Sequence, residues 1–394
     1  MNVPKLRFKE FNDEWCLRTL NELYTFKNGI NGDKTQFGKG IKYISVGDIL
    51  NNNYITYDKI KGLIDIDDKT LHENSVEFGD ILFQRSSETK KEIGMSNVYL
   101  DNKLSTFGGF VIRGKKNKDN NNNPCFINYL LRSQTVRKDI VFRGAGAQHY
   151  NIGQEDLKKV SINIPSLAEQ NKISSILQLL DKKIELQTKK INDLKLFKKG
   201  LIKDIFSSEL LKEINIRDIG KIVTGTTPSK ENKKYWENGN VTWITPTDIN
   251  YERDIFSSIS TLTREGLEKG RFIPKNSILV TCIASIGKNA VIKVNGSCNQ
   301  QINAIIPNEN YNSNYIYYLM EYISPYLQAI AGTSATAIVN KETFERVKVK
   351  VHPLEEQKKI DCLLSHIETK IMLEDKLLHK LKQLKKGLMQ NMFI

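Results

Sequence analysis

The sequence predicts an α+β protein: two mixed α/β domains joined by two long antiparallel coiled-coil helices, the whole arranged as a pseudo-twofold internal duplication. Three observations predict it. Leu194-Lys195-Leu196-Phe197-Lys198-Lys199-Gly200-Leu201 returns 187 residues later as Leu381-Lys382-Gln383-Leu384-Lys385-Lys386-Gly387-Leu388, and at the same offset Glu169-Gln170 meets Glu356-Gln357 and Phe206 meets Phe393. The repeated segments carry apolar residues at steps of three and four. The stretches ahead of them are instead short β-rich runs punctuated by Gly and Asn. Duplication of a gene-length unit is the simplest cause. Two copies in one chain can form a pseudo-twofold object, which suits a nearly twofold ligand, above all duplex DNA.

The first domain, 1–163, opens with Leu20-Asn21-Glu22-Leu23 and Gly29, followed by Ile41-Lys42-Tyr43-Ile44-Ser45-Val46-Gly47-Asp48-Ile49. The second, 210–350, answers with Ile216-Arg217-Asp218-Ile219 and Gly225, then Val241-Thr242-Trp243-Ile244-Thr245-Pro246-Thr247-Asp248-Ile249. Further on, Asp80-Ile81-Leu82-Phe83 aligns with Ser277-Ile278-Leu279-Val280, and Gly108-Gly109-Phe110-Val111-Ile112 with Ile302-Asn303-Ala304-Ile305-Ile306. Helices are predicted near 126–138 and 314–329. The Lys- and Asn-rich tract 113–124 reads as a mobile surface loop without a counterpart in the second copy.

The first long helix falls within 164–209 and the second within 351–394. Ile173, Leu177, Leu180, Ile184, Ile191, Leu194, Leu201 and Ile205 form the apolar stripe of one, and Ile360, Leu364, Ile367, Ile371, Leu378, Leu381, Leu388 and Met392 that of the other. Each should run for about 37 residues, roughly 55 Å. Pro165 and Pro353 stand just upstream, where proline is tolerated and the incoming chain is extended. Gln187 and Glu374 interrupt the stripe at equivalent mid-helix places. If the helices pair antiparallel, the two meet at the centre, where a polar pair costs stability but fixes register.

With 394 residues, 39% of them hydrophobic, the chain can bury more than one core. Its five cysteines form no C-x-x-C pair and its five histidines lie at no ligand spacing from them, so neither a disulfide scaffold nor a structural metal is expected. No leader or membrane-length apolar run is evident, and the expectation is a cytoplasmic protein. A net charge of +14 favours a polyanionic partner, although lysine-coated helices explain much of it.

Catalytic patterns are weak. Asp80 with Glu88-Thr89-Lys90 has the loose spacing of a metal-dependent nuclease, but Asp156-Leu157-Lys158, Asp181-Lys182-Lys183 and Asp193-Leu194-Lys195 fit as well. Gly144-Ala145-Gly146 is no dinucleotide loop, and no Asp- or Asn-Pro-Pro-aromatic tetrapeptide of the amino-methyltransferase kind occurs. Loops that combine base-edge donors with cations are the candidates for reading DNA. In the first domain these are Gln84, Arg85 and Ser86 with Lys90 and Lys91, then Arg143 with Gln148, His149 and Tyr150. In the second they are Thr226, Thr227, Lys230, Lys233, Lys234 and Tyr235, then Ser334 with Thr336. Arg forks onto guanine, Gln onto adenine, and Lys neutralises phosphate. A solvated loop residue, or for Tyr150 and Trp236 a core aromatic, is the alternative at each.

Variable domain, a helix opened by Pro and, three or two intervening residues later, Glu-Gln, then a variable domain and the same helix again resemble the specificity subunits of type I restriction-modification systems. The residues that carry this are Pro165-Ser166-Leu167-Ala168-Glu169-Gln170, Pro353-Leu354-Glu355-Glu356-Gln357, the two Lys-Lys-Gly-Leu ends, Gly225-Thr226-Thr227-Pro228-Ser229 and Asn299-Gln300-Gln301-Ile302-Asn303-Ala304-Ile305. The first domain departs from the pattern at Gly29-Ile30-Asn31-Gly32 and Ser105-Thr106-Phe107-Gly108-Gly109. The resemblance implies two target-recognition domains, each reading one half of a bipartite, asymmetric double-stranded DNA site, with the helices as spacer and docking sites for two methyltransferase (modification) subunits. It implies no catalysis or cofactor in this chain. Restriction subunits, S-adenosylmethionine, ATP and magnesium would belong to the rest of the complex. The competing reading is a coiled-coil scaffold with RNA- or protein-binding domains.

Overall fold

A computed structural model describes residues 3–209, 211–249, 252–332 and 337–394. The chain divides into two compact units, Met1–Thr188 with Lys376–Ile394, and Lys189–Asp375. Each takes the beginning of one long helix and the end of the other.

The first unit is built on a four-stranded antiparallel sheet in the order Tyr24–Asn28, Val111–Lys116, Ile81–Gln84, Ser96–Val98. The second repeats it with Gly220–Thr224, Ile302–Pro307, Ile278–Thr281 and Asn289–Ile292, and adds Asp254–Ile255 in parallel at the edge. Beside it lies a three-stranded sheet: Gly62–Ile64, Phe37–Ile44 and Thr106–Phe107 in one unit, Ser260–Leu262, Val241–Ile244 and Gly296–Cys298 in the other. In both, the central strand runs antiparallel to the first neighbour and parallel to the second. A two-stranded ribbon (Cys16–Thr19 with Ser161–Ile164, Lys212–Asn215 with Lys348–Val351) completes each unit.

Local chemistry repeats with the topology. Leu20–Leu23 and Ile216–Ile219 are single helical turns, opened by Glu22 and Asp218, whose carboxylates accept the main-chain N–H of Thr19 and Asn215. After the central strands, Asp48 and Asp248 do the same for Ser45 and Thr245, each at 2.8 Å. The sheet register corrects one alignment. Phe83 pairs with Ile112 and Val280 with Asn303, so Ile112 matches Asn303, and 108–112 must slide by three residues against 302–306. The turn Asn299-Gln300-Gln301 therefore corresponds to Gly108-Gly109-Phe110.

Two other expectations change. The helix near 126–138 is two helices, Pro124–Leu131 and Gln134–Arg143, broken where Ser133 turns extended. Residues 113–116 belong to a sheet strand, and the segment beyond is packed rather than loose: Asn120 is buried and its amide donates to the Leu23 carbonyl at 3.0 Å. Nor does it lack a counterpart. Asn117 N–H bonds to the Leu23 carbonyl as Asn308 N–H bonds to that of Ile219, each at 3.0 Å.

The long helices span Leu167–Phe206 and Leu354–Asn391, 40 and 38 residues. In the first unit Ile173 and Leu177 share a core with Met392 and Phe393, and in the second Ile202 and Phe206 share one with Ile360 and Leu364. Ion pairs Lys190–Glu374 and Lys198–Glu368 in the second unit link residues that rise on one helix as they fall on the other, so the helices run antiparallel. The repeated Gln seals each helix start. Gln170 accepts the Asn123 N–H and donates to the Pro165 carbonyl, while Gln357 accepts the Asn312 N–H and donates to that of His352. Among the described residues no helix is long and apolar enough to cross a membrane.

Candidate nucleic-acid interface

In each unit the sheet ends in a cluster of loops held by a close main-chain approach. A Cβ on Gly29 would lie 2.1 Å from the Gly108 carbonyl oxygen, and one on Gly225 the same distance from that of Asn299. Glycine is required because the strand end and the turn touch backbone to backbone. The N–H groups of Gly29 and Ile30 bond to Val111 and Phe107, and those of Gly225 and Thr226 to Ile302 and Cys298. This scaffold is common to the two units. The side chains it carries are not.

In the first unit the structure brings two candidate segments together. Ser86–Ser87 pairs with Tyr150–Asn151, and the Ser86 hydroxyl donates to the Asn151 amide oxygen at 2.5 Å. Ala145 and Asn151 exchange main-chain hydrogen bonds at 2.9 and 2.8 Å, closing the arm that exposes Gln148 and His149. Arg85 lies at the base of this arm. Its N–H and carbonyl are bound to Phe110 and Ile152, and its guanidinium reaches the Gly109 carbonyl at 3.4 Å. Lys90 and Lys91 are exposed on the neighbouring turn. Arg137 fixes that turn, its Nη2 donating to the carbonyls of Lys91 at 2.9 Å and Ile93 at 2.7 Å, while burial pushes its guanidinium pKa down to about 10.

Other candidates are turned inward or engaged. Gln84 is the last residue of a central strand, buried, its amide donating to the Ser86 carbonyl at 2.8 Å. Arg143 pairs with Asp139 one turn back at 3.0 Å. Tyr150 is half-buried against the core. Asp80 is buried too, and desolvation raises its carboxyl pKa although the N–H groups of Glu77 and Lys116 bond to it. It serves as a main-chain anchor. Among the described residues no three His, Cys, Asp or Glu side chains converge to hold a metal ion.

The second unit arranges different chemistry on the same scaffold. Asn299 closes its own turn, its side-chain oxygen accepting the Gln301 N–H at 3.0 Å, and Thr227 donates to the Gln300 side chain. Two indoles pin the 225–229 loop: Trp243 donates to the Thr226 carbonyl at 3.1 Å and Trp236 to that of Ser229 at 3.0 Å, the rings meeting edge to face at 4.8 Å. Trp236 is half-buried and structural. Lys230, Lys233 and Lys234 are exposed, Lys233 beside Glu237 at 3.4 Å. The main chain of Tyr235 holds Thr263, its carbonyl accepting that N–H at 3.0 Å. Ser334 and Thr336 lie outside the described residues. Their downstream flank is placed, however: Ile338 bridges Ile283 as Asn151 pairs with Ser86.

Sequence reasoning passed over Phe110, 68% exposed beside Arg85, and Ile259, 86% exposed before the strand Ser260–Leu262. The corrected register is the signal that finds the first, because Phe110 stands where the second unit has Gln301. At mid-helix, Gln187 is buried and Glu374 forms an ion pair with Lys190.

Residues 12–196 and 209–383 each match the model of the type I restriction modification DNA specificity domain. The MjaIX specificity subunit of Methanocaldococcus jannaschii is 36% identical over 188 residues, which cover 45% of this chain and 43% of that protein. The putative MjaX specificity subunit of the same organism is 24% identical over 416 residues, covering 98% and 95%. The EcoR124I/EcoR124II specificity subunit of Escherichia coli is 32% identical over 230 residues, covering 54% and 56%. The chain thus spans about half the length of two of these relatives and nearly all of the third. The crystal structure of a type I restriction-modification S subunit from M. genitalium superposes with a TM-score of 0.62 at 18% identity, covering 100% of this chain and 99% of that one.

Proposed function

The chain belongs to the type I restriction modification DNA specificity family, and from that membership we propose that it is the sequence-reading subunit of a restriction-modification complex, each unit reading one half of a bipartite, asymmetric double-stranded DNA site. The observation that carries the asymmetry is one loop scaffold presenting two chemistries: Arg85, His149 and Phe110 in one unit, Thr227, Gln300 and the lysines 230, 233 and 234 in the other. A shared scaffold fixes how the loops are offered, and unlike side chains then demand unlike base edges. Arg85, Gln148 and His149 are assigned to base edges, Lys90, Lys91, Lys230, Lys233 and Lys234 to phosphates. Gln84 supports the strand rather than touching DNA.

The long helices are assigned to docking two modification subunits, with restriction subunits joining the complex. Methyl transfer and cleavage, with S-adenosylmethionine, ATP and magnesium, are assigned to those partners. Mapping methylated adenines in a genome that carries this chain and its partner subunits tests the reading. Two unlike half-sites at one fixed gap are expected, and a palindromic target or a single uninterrupted motif would overturn it.

A further inference from the structure

The same buried junction occurs once in each unit, and the repeat motif builds it. In the second unit Lys198, on the first long helix, binds Glu368 of the second at 2.8 Å and Glu321 of the globular domain at 2.9 Å. Tyr318, from the domain helix Ser313–Ile330, donates to the other Glu368 oxygen at 2.9 Å. In the first unit the roles of the long helices exchange: Lys385 of the second binds Asp181 of the first, and Tyr129 of the helix Pro124–Leu131 donates to Asp181 at 2.7 Å. Lys198 and Lys385 are the first lysines of the two Lys-Lys-Gly-Leu motifs, and Asp181 and Glu368 are likewise 187 residues apart. Each ammonium also sits over its tyrosine ring, at 5.3 Å from Tyr318 and 5.7 Å from Tyr129. Arg253 braces the second junction, reaching Ser365 at 2.7 Å and Glu368 at 3.2 Å.

These pairs are largely out of water: the side chains of Lys198 and Glu368 are 12% and 20% exposed, those of Lys385 and Asp181 25% and 6%. A buried pair adds little net stability over apolar residues of the same volume, but it penalises every arrangement that separates its members. Sliding one helix by a turn would bring Leu381 or Leu388 toward Asp181 and leave that carboxylate desolvated without its cation. Apolar stripes alone do not resist such a slip strongly, because each leucine finds another leucine one turn on.

We propose that Lys198 and Lys385 are positioning residues that lock the register of the paired helices, and with it the gap the protein accepts between the two halves of its DNA site. The second clause rests on the bipartite reading above. One helical turn is about 5.4 Å, the rise of between one and two base pairs at about 3.4 Å each. Loss of the lock should therefore show as tolerance of gaps changed by one or two base pairs.

The test uses the full chain assembled with its modification subunits, on duplexes carrying both mapped half-sites at the native gap and at gaps altered by one and two base pairs. The wild-type complex should reject altered gaps by at least about tenfold in affinity. K198M/K385M should accept them within about twofold of the native gap while still requiring both half-site sequences, and K198R/K385R should restore rejection. Should the methionine variant not fold, K198M/E368Q/K385M/D181N, which neutralises both carboxylates at the junctions, leaves Arg253 its partner Asp254 and parts only the 37%-exposed Glu321 from its cation, serves in its place. A folded variant that loses thermal stability yet rejects altered gaps as the wild type does would overturn the proposal and leave bipartite reading intact. A wild-type complex indifferent to the gap would sink both.

Discussion

Arg85 is proposed above to read a base, and its setting suits that role. Its main chain is fixed on both sides, and among the described residues its guanidinium makes one side-chain hydrogen bond, at 3.4 Å to Gly109. Most of its fork remains available for the O6 and N7 of a guanine. Arg85→Ala should cost about 1–3 kcal/mol on the cognate site and relax preference at one position of one half-site, measured by binding to a library randomised in both halves. A uniform loss on all sequences would make it a phosphate contact. Gln84, next to it, shows where residue-level reading fails. Its amide looks equally suited to a base, but it ends a strand paired on both edges, and burial there depends on partners from Val111 and Ser96 that no local pattern reveals. Charge patterns found the exposed lysines because their environment is water wherever they fall. His352 carries a pH dependence of its own. Its N–H donates to the Tyr315 hydroxyl at 3.0 Å, whose proton can then serve the ring Nδ1 at 2.9 Å only while that nitrogen is unprotonated. Burial, with the Phe206 ring alongside, depresses the imidazole pKa below its usual 6.5, and nearby Glu356 opposes this only in part. The unfolded chain therefore takes up the proton first, so the stability this group contributes is present above pH 6.5 and lost as the pH falls below it. Melting temperatures at pH 7.5 and 5.5 should drop further for the wild type than for His352→Gln.

At the scale of elements, the long helices were legible and the sheets were not. A 3.6-residue period is local, and the expected length of about 37 residues lies close to the observed 40 and 38. Strands appeared as apolar runs at the right places, but their order is set by pairing between distant residues, and the three-residue error at 108–112 could be seen only against the register of the neighbouring strand. The Asn-rich tract misled for a different reason. Asparagine marks loops because it satisfies main-chain groups, and here Asn120 and Asn123 do so while buried or capping a helix. The polar break at mid-helix follows the same reasoning. Gln187 is buried in an otherwise apolar stripe, and the Glu374 side chain, 14% exposed, pairs with that of Lys190, 51% exposed; polar groups withdrawn from water in this way add little net stability over apolar residues of the same volume. Gln187→Leu with Glu374→Leu should raise stability by about 1 kcal/mol, a rise of roughly 2–4 °C in Tm, at the expense of strict orientation. A lower Tm in the double variant would show that the two polar residues are net stabilising.

For the molecule as a whole, duplication was the most legible property, since an eight-residue segment that returns at a fixed offset with six identities needs no structural context. Its consequence for binding is that affinity and preference should separate. On the proposed reading, the net charge of +14 would reach a polyanion through lysines that read no bases, whereas Arg85 and the 225–229 loop would act only where a matching edge is met. Each phosphate contact releases condensed counterions, so log K should fall with log salt by about 0.9 per contact on duplex DNA. Lys90 and Lys91 are exposed, and no ion pair to another described residue engages either. Replacing both by Ala should therefore reduce the slope by nearly 2 and weaken binding to cognate and random duplexes by the same factor, leaving the ranking of sequences unchanged. The Arg85→Ala variant should do the reverse, changing the ranking with at most one unit of slope. If removing the two lysines instead reordered the sequences, the turn that Arg137 holds would be a base-reading element, and phosphate contact would have to be sought on the lysine-rich faces of the long helices.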